Sequence, residues 1–132
     1  VDGVDALHLG PPQLSSGSLE ITIQFPAKNK DCWEKLQLWV YARKSSCFTG
    51  DGAEVYFMNL ISGEFDAANP PTTIYDSDFD WSGHDILPAD YGKYLLCDPA
   101  SADRQYCYFT YRISASIWDC VYIDRMDFDI IY

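Results

Sequence analysis

Two segments near the C-terminus, Tyr106-Cys107-Tyr108-Phe109-Thr110-Tyr111-Arg112-Ile113 and Trp118 to Tyr132, are so rich in aromatic and β-branched residues that helical folds are effectively closed to the chain. Only Ser114-Ala115-Ser116 separates them, which predicts two long strands joined by one turn. Strands this apolar must be covered by others, so the two read as the closing pair of a β-sandwich. In the second, Trp118, Cys120, Tyr122, Met126, Phe128, Ile130 and Tyr132 form a nearly continuous apolar face at even positions. Asp124 is its one charge, and an isolated carboxylate there needs a partner. Arg125, Arg112 or a backbone turn could supply it. Alternatively, Asp2 and Asp5 could meet Asp124, Asp127 or Asp129 if the N-terminal arm lies beside the last strand.

The remaining chain repeats the two-residue period. Leu19, Ile21, Ile23 and Phe25 alternate with Glu20, Thr22 and Gln24, and Leu36, Leu38, Val40 and Ala42 alternate with Gln37, Trp39, Tyr41 and Arg43. Ala53 to Ile61 is apolar on both faces, as a central strand is, and Ser62-Gly63 reads as a hairpin tip. Short strands are expected at Ala6 to Leu9, Thr72 to Tyr75 and Tyr91 to Cys97, while Asp76 to Asp85 reads as an acidic loop. The sum is an all-β, antiparallel, jelly-roll-type sandwich of about eight or nine strands with no helix. Residues 1–18 form an N-terminal arm and 19–132 the single sandwich domain.

Composition narrows the partners. Nine basic residues against twenty acidic ones give a formal charge of −11, a field that repels phosphate, so nucleic acid and anionic membranes are poor partners. No apolar run is long enough to insert into a membrane. Cations, carbohydrates and other protein subunits remain. Five cysteines without a CxxC spacing suit an oxidising compartment, and a sequence that starts at Val1 suggests a processed, exported, extracellular or cell-surface chain. The expected bridges are Cys97 with Cys107, flanking one loop, and Cys32 with Cys47, at the two ends of one strand and its turn. Cys120 is then an unpaired, buried thiol.

Val55-Tyr56-Phe57-Met58-Asn59-Leu60-Ile61-Ser62-Gly63-Glu64-Phe65 resembles a hairpin of galactose-binding-like jelly-roll domains, of the discoidin and carbohydrate-binding-module type. Val121-Tyr122-Ile123-Asp124-Arg125-Met126-Asp127-Phe128 is similar to the closing strand of the same family. Leu60 and Phe65 stand where that family tends to carry tryptophan. The resemblance implies a non-catalytic module that binds carbohydrate or a protein surface, often with a structural calcium ion.

Residue chemistry offers matching candidates. Sugar rings stack on exposed aromatics, for which Trp39, Tyr41 and Trp81 with His84 are available. Asp76, Asp78 and Asp80 at alternate positions could converge on calcium, although Gly83 comes too late and Leu87 stands where an EF-hand loop needs Glu. His8 and His84 lie in no HExxH, GxSxG or Cys-His arrangement, so no enzyme is expected. The leading expectation is a lectin-like carbohydrate binder, with calcium as its candidate cofactor. The alternative is a structural subunit of an extracellular filament or layer, a homo-oligomer or polymer whose N-terminal arm adds as a strand to a neighbour.

Overall fold

In the computed structural model, the backbone is described for residues 7–9, 17–46, 53–68, 73–74, 78–98, 105–115 and 119–132. In chain order the strands are β1 (Leu7–Leu9), β2 (Gly17–Pro26), β3 (Lys35–Ser46), β4 (Ala53–Asn59), β5 (Glu64–Ala67), β6 (Thr73–Ile74) and β7 (Asp80–Ile86). One turn of helix, α1 (Tyr91–Tyr94), precedes β8 (Leu95–Cys97), β9 (Tyr106–Ala115) and β10 (Asp119–Ile131). They form two antiparallel sheets. The first has the order β1-β10-β3-β7, and the second β2-β9-β4-β5, with β6 also on β4 and β8 also on β9. The chain crosses repeatedly from one sheet to the other, the jelly-roll form of the antiparallel sandwich.

Alternation explains the core. Leu36, Leu38, Val40 and Ala42 of β3 are buried, as are Cys107, Phe109, Tyr111, Ile113 and Ala115 of β9. Aromatic rings join the two layers: Phe128 of β10 lies 4.9 Å from Phe25 of β2 and 5.7 Å from Phe109, measured between ring centroids. Each such side chain contributes about 1.5–3 kcal/mol on burial, so these inward faces hold the sandwich together.

The expected closing pair does not pair. β9 sits inside the second sheet between β2 and β4 with β8, whereas β10 sits inside the first between β1 and β3. Both strands have one face to bury, and the connection carries the chain across the sandwich instead of turning back beside β9. Residues 116–118 lie outside those described.

The even-numbered face of β10 also needs correction. Val121 and Ile123 are buried, whereas Tyr122 turns outward and Arg43 lies over its ring at 4.4 Å. The register against β3 slips between Ile123 and Arg125, so Met126, Phe128 and Ile130 face inward beyond that point. Such a bulge leaves one residue over and exchanges the faces of the strand. The extra residue is Asp124, and both its carboxylate oxygens are buried without a hydrogen-bond partner. Neither expected arginine reaches it; Arg125 pairs with Asp127 instead.

Three further expectations are resolved. β1 runs antiparallel to β10 of its own chain, Leu7 opposite Ile123, so this strand is already used internally. The Cys97–Cys107 bridge forms across the β8–β9 pair, Cα to Cα 4.0 Å. Cys32, however, is a free, exposed cysteine. Cys47 lies outside the described residues, but Lys35 and Ser46 stand at the two ends of the 12-residue β3. A strand of that length spans roughly 40 Å, whereas a disulfide needs its Cα atoms within about 7 Å, and the expected Cys32–Cys47 bridge is not formed. The side chain of Cys120 is not among those described.

Two stability predictions follow from the core. Replacing Asp124→Asn removes a buried, unpartnered charge and is expected to raise the unfolding free energy by about 1 kcal/mol in urea titration. Separately, burial pushes the Tyr111 phenol up to about 12 from its ordinary 10.0. Tyr94 also rises to about 12, through burial and then its hydrogen bond to Asp66. The unfolded chain sheds these protons near pH 10 while the folded chain keeps them. Stability is therefore full below about pH 10 and falls as pH rises through about 12. Urea midpoints across that window measure the fall, and Tyr111→Phe should make it shallower.

Candidate functional site

With Leu36, Leu38, Val40 and Ala42 turned inward, β3 must present Gln37, Trp39, Tyr41 and Arg43 on the outer face of the first sheet. β7 does the same beside it. His84 and Ile86 are buried, so Trp81, Gly83 and Asp85 face out. The registers align these residues in rows. Tyr41 stands opposite Trp81, Trp39 opposite Gly83 and Gln37 opposite Asp85. On the other side, β10 places Tyr122 opposite Arg43, Arg125 opposite Tyr41, Asp127 opposite Trp39 and Asp129 opposite Gln37.

The rings touch in series. Phe79 stacks on Tyr41 at 5.3 Å, Tyr41 meets Trp81 at 5.0 Å, and Trp81 meets Trp39 edge-on at 6.4 Å. Arg43 closes one end, 5.5 Å over Phe79. Trp81 is 42 % exposed. Gly83 gives the platform its depth: a Cβ there would stand 2.8 Å from Cζ3 of Trp39, so the missing side chain lets the indole lie across β7. Polar groups flank the rings. The Gln37 side-chain amide donates to Asp85 at 3.0 Å, Lys35 stands 3.6 Å from Asp85, and Arg125 donates to Asp127 at 3.0 Å.

The expected sugar contacts thus divide. Trp39, Tyr41 and Trp81 come together on one surface. His84 does not join them: it is wholly buried, edge-on to Phe57 at 6.4 Å between centroids. It lies three positions beyond Trp81 on an extended strand, which puts the two on opposite faces. Phe79, Gly83 and Tyr122 belong to the platform and were not anticipated. The stretch Asp76 to Asp85 reads as a loop because Ser82 and His84 occupy inward positions that usually carry aliphatic residues, yet from Asp80 onward it is strand β7.

Asp78 and Asp80 are exposed, and the Asp80 carboxylate accepts the Trp81 backbone N–H at 2.8 Å. Asp76 lies outside the described residues. Among the described residues no three His, Cys, Asp or Glu side chains are grouped to hold a metal ion. No described helix is long and apolar enough to cross a membrane.

The outer face of the second sheet carries a different feature. Thr22, Leu60, Tyr94, Leu96, Tyr108 and Thr110 line an open groove of about 280 Å³. Its floor hydroxyls, Thr22 and Thr110, bond each other at 2.8 Å, and the Tyr94 hydroxyl donates to Asp66 at 3.0 Å. Beside it the Arg112 guanidinium lies over Phe65 at 4.2 Å and Tyr56 at 5.1 Å.

No family model matches the chain, and no curated protein matches it. Among solved structures it is similar to TmCBM61 in complex with beta-1,4-galactotriose, with a TM-score of 0.49 and 9% identity over 95% of this chain and 70% of that one. The sandwich assignment stands on the strand order and register given above.

The platform makes its own prediction. Gly83→Ala should push the Trp39 indole off β7, altering the near-ultraviolet circular dichroism of the Trp39–Trp81 pair. Because the ring sits on the surface and can swing outward, the thermal midpoint should change little.

Proposed function

We propose that this domain is a non-catalytic carbohydrate-binding module of an exported protein, and that it takes its glycan on the outer face of the first sheet. The contiguous row Phe79, Tyr41, Trp81 and Trp39 carries the proposal. Pyranose rings have apolar faces that stack on aromatics, and their hydroxyls need donors and acceptors at the rim of the same surface. Gln37, Asp85, Asp127, Asp129 and Arg125 offer both kinds. The chain carries −11 overall, so the glycan is neutral and polyuronates are disfavoured. Export fits the Cys97–Cys107 bridge, since such bonds persist in oxidising compartments.

The platform holds no nucleophile–base pair. Its ionisable groups include the carboxylates Asp85, Asp127 and Asp129, the cations Lys35, Arg43 and Arg125 and the phenols Tyr41 and Tyr122, and Asp85 and Asp127 are held in ion pairs. Binding is the chemistry such a surface performs.

Affinity electrophoresis in gels containing galactan, glucan, xylan, mannan or polygalacturonate tests the reading. At least one neutral polysaccharide should retard the domain and polygalacturonate should not. Trp39→Ala and Trp81→Ala should each weaken retention by about tenfold, an aromatic face contact being worth on the order of 1 kcal/mol. Retardation by none of them, or full retention in both variants, would overturn it. A chelator added to the same gels decides whether Asp76, Asp78 and Asp80 supply a needed calcium ion.

A further inference from the structure

Sheet edges present unpaired N–H and C=O groups, and proteins that stay monomeric blunt them by shortness, charge or proline. Most edges here are blunted. β1 and β8 have three residues each, β6 has two, and the four-residue β5 carries Glu64 and Asp66. The edge strand β7 carries Asp80, Asp85 and Gly83 in seven residues. β2 is the exception. Its ten residues pair with β9 along their full length on one side, and among the described residues no strand pairs with the other. It has one charge, Glu20, and its only proline, Pro26, is the last residue.

The side chains at this edge are also incompletely covered. Leu19, Ile21 and Ile23 pack against the core but remain half-buried, unlike their counterparts on β9. A further strand beside β2 would satisfy its free backbone groups and extend cover over these three residues.

We propose that the strand that docks there is β2 of a second copy of this chain, running antiparallel about a twofold axis at Ile21. The sequence of β2 is complementary to itself in that register. Ile21 meets Ile21 of the partner, Leu19 meets Ile23, and apolar residues stay on the inner face of both sheets. On the outer face Glu20 meets Thr22 and Ser18 meets Gln24, so the two glutamates do not face each other. Pro26, which lacks an N–H, falls beyond the nine paired residues from Gly17 to Phe25. The six-stranded sheets of the two copies become one continuous sheet, and the aromatic platforms, which lie on the other layer, stay open. This pairing does not depend on what the platform binds.

The register can be read through charge. Position 22 of each copy faces Glu20 of the other, giving two equivalent contacts per dimer. Like charges directly opposite each other destabilise a strand pair, and opposite charges support it. In sedimentation velocity from about 1 μM to 1 mM, the wild-type chain should show a monomer–dimer equilibrium that tightens with added salt, because two chains of charge −11 repel. Thr22→Glu should weaken the dimer about tenfold and Thr22→Lys should tighten it about tenfold. A chain that stays monomeric at the highest concentration, or two variants that shift the equilibrium in the same direction, would overturn the proposal. Should either variant unfold with loss of the Thr22–Thr110 hydroxyl bond, hydrogen exchange on the wild-type chain gives the same reading. The alternate amides between Leu19 and Ile23 that do not bond β9 should exchange more slowly as concentration rises, and concentration-independent exchange there would refute the pairing.

Discussion

The fold depends on covering one side of each long strand. Leu36, Leu38, Val40 and Ala42 on β3 and Phe109, Tyr111 and Ile113 on β9 are buried between the two sheets, where Phe128 of β10 lies against Phe25 and Phe109 of the opposite layer. These contacts are apolar and continuous, so they fix the register of each strand; a slip by one residue would expose the whole inward set. The outer surface follows from the same constraint. Once Leu38 and Val40 are committed to the interior, Trp39 and Tyr41 have nowhere to go but out.

The platform is thus a product of core packing, refined by two local features. Gly83 removes a side chain where the Trp39 indole needs space, and the bulge at Asp124 reverses the facing of β10 partway along. The bulge lets Val121 and Ile123 enter the core while Tyr122 joins the outer face under Arg43. Further along, Arg125, Asp127 and Asp129 reach the outer face beside the rings. A regular strand could not bury Val121, Ile123, Met126 and Phe128 all on one side. The buried Asp124 carboxylate is the energetic cost of this irregularity.

Much of the layout was legible because burial on one face leaves a two-residue signature. The strands at Leu19 to Phe25 and Leu36 to Arg43 could be read directly, and so could the placement of Trp39 and Tyr41 opposite the core. β7 was hidden because Ser82 and His84 take inward positions without an aliphatic signature, so the strand that completes the platform looked like part of an acidic loop. The same concealment made His84 look like a companion of Trp81, although parity places it on the opposite face.

By itself the sequence determined the class of the fold and the inward set of most strands, and offered Cys97–Cys107 as one expected bridge, because each depends on nearby residues and the period of an extended chain. Tertiary structure decided which strands are neighbours: that β9 and β10 part into different sheets, that β1 returns to its own β10, and that Phe79, Tyr41, Trp81 and Trp39 form one row. It also decided that Cys32 is left free. Those outcomes depend on which distant faces can be covered together, a property of the assembled layers that no local pattern encodes.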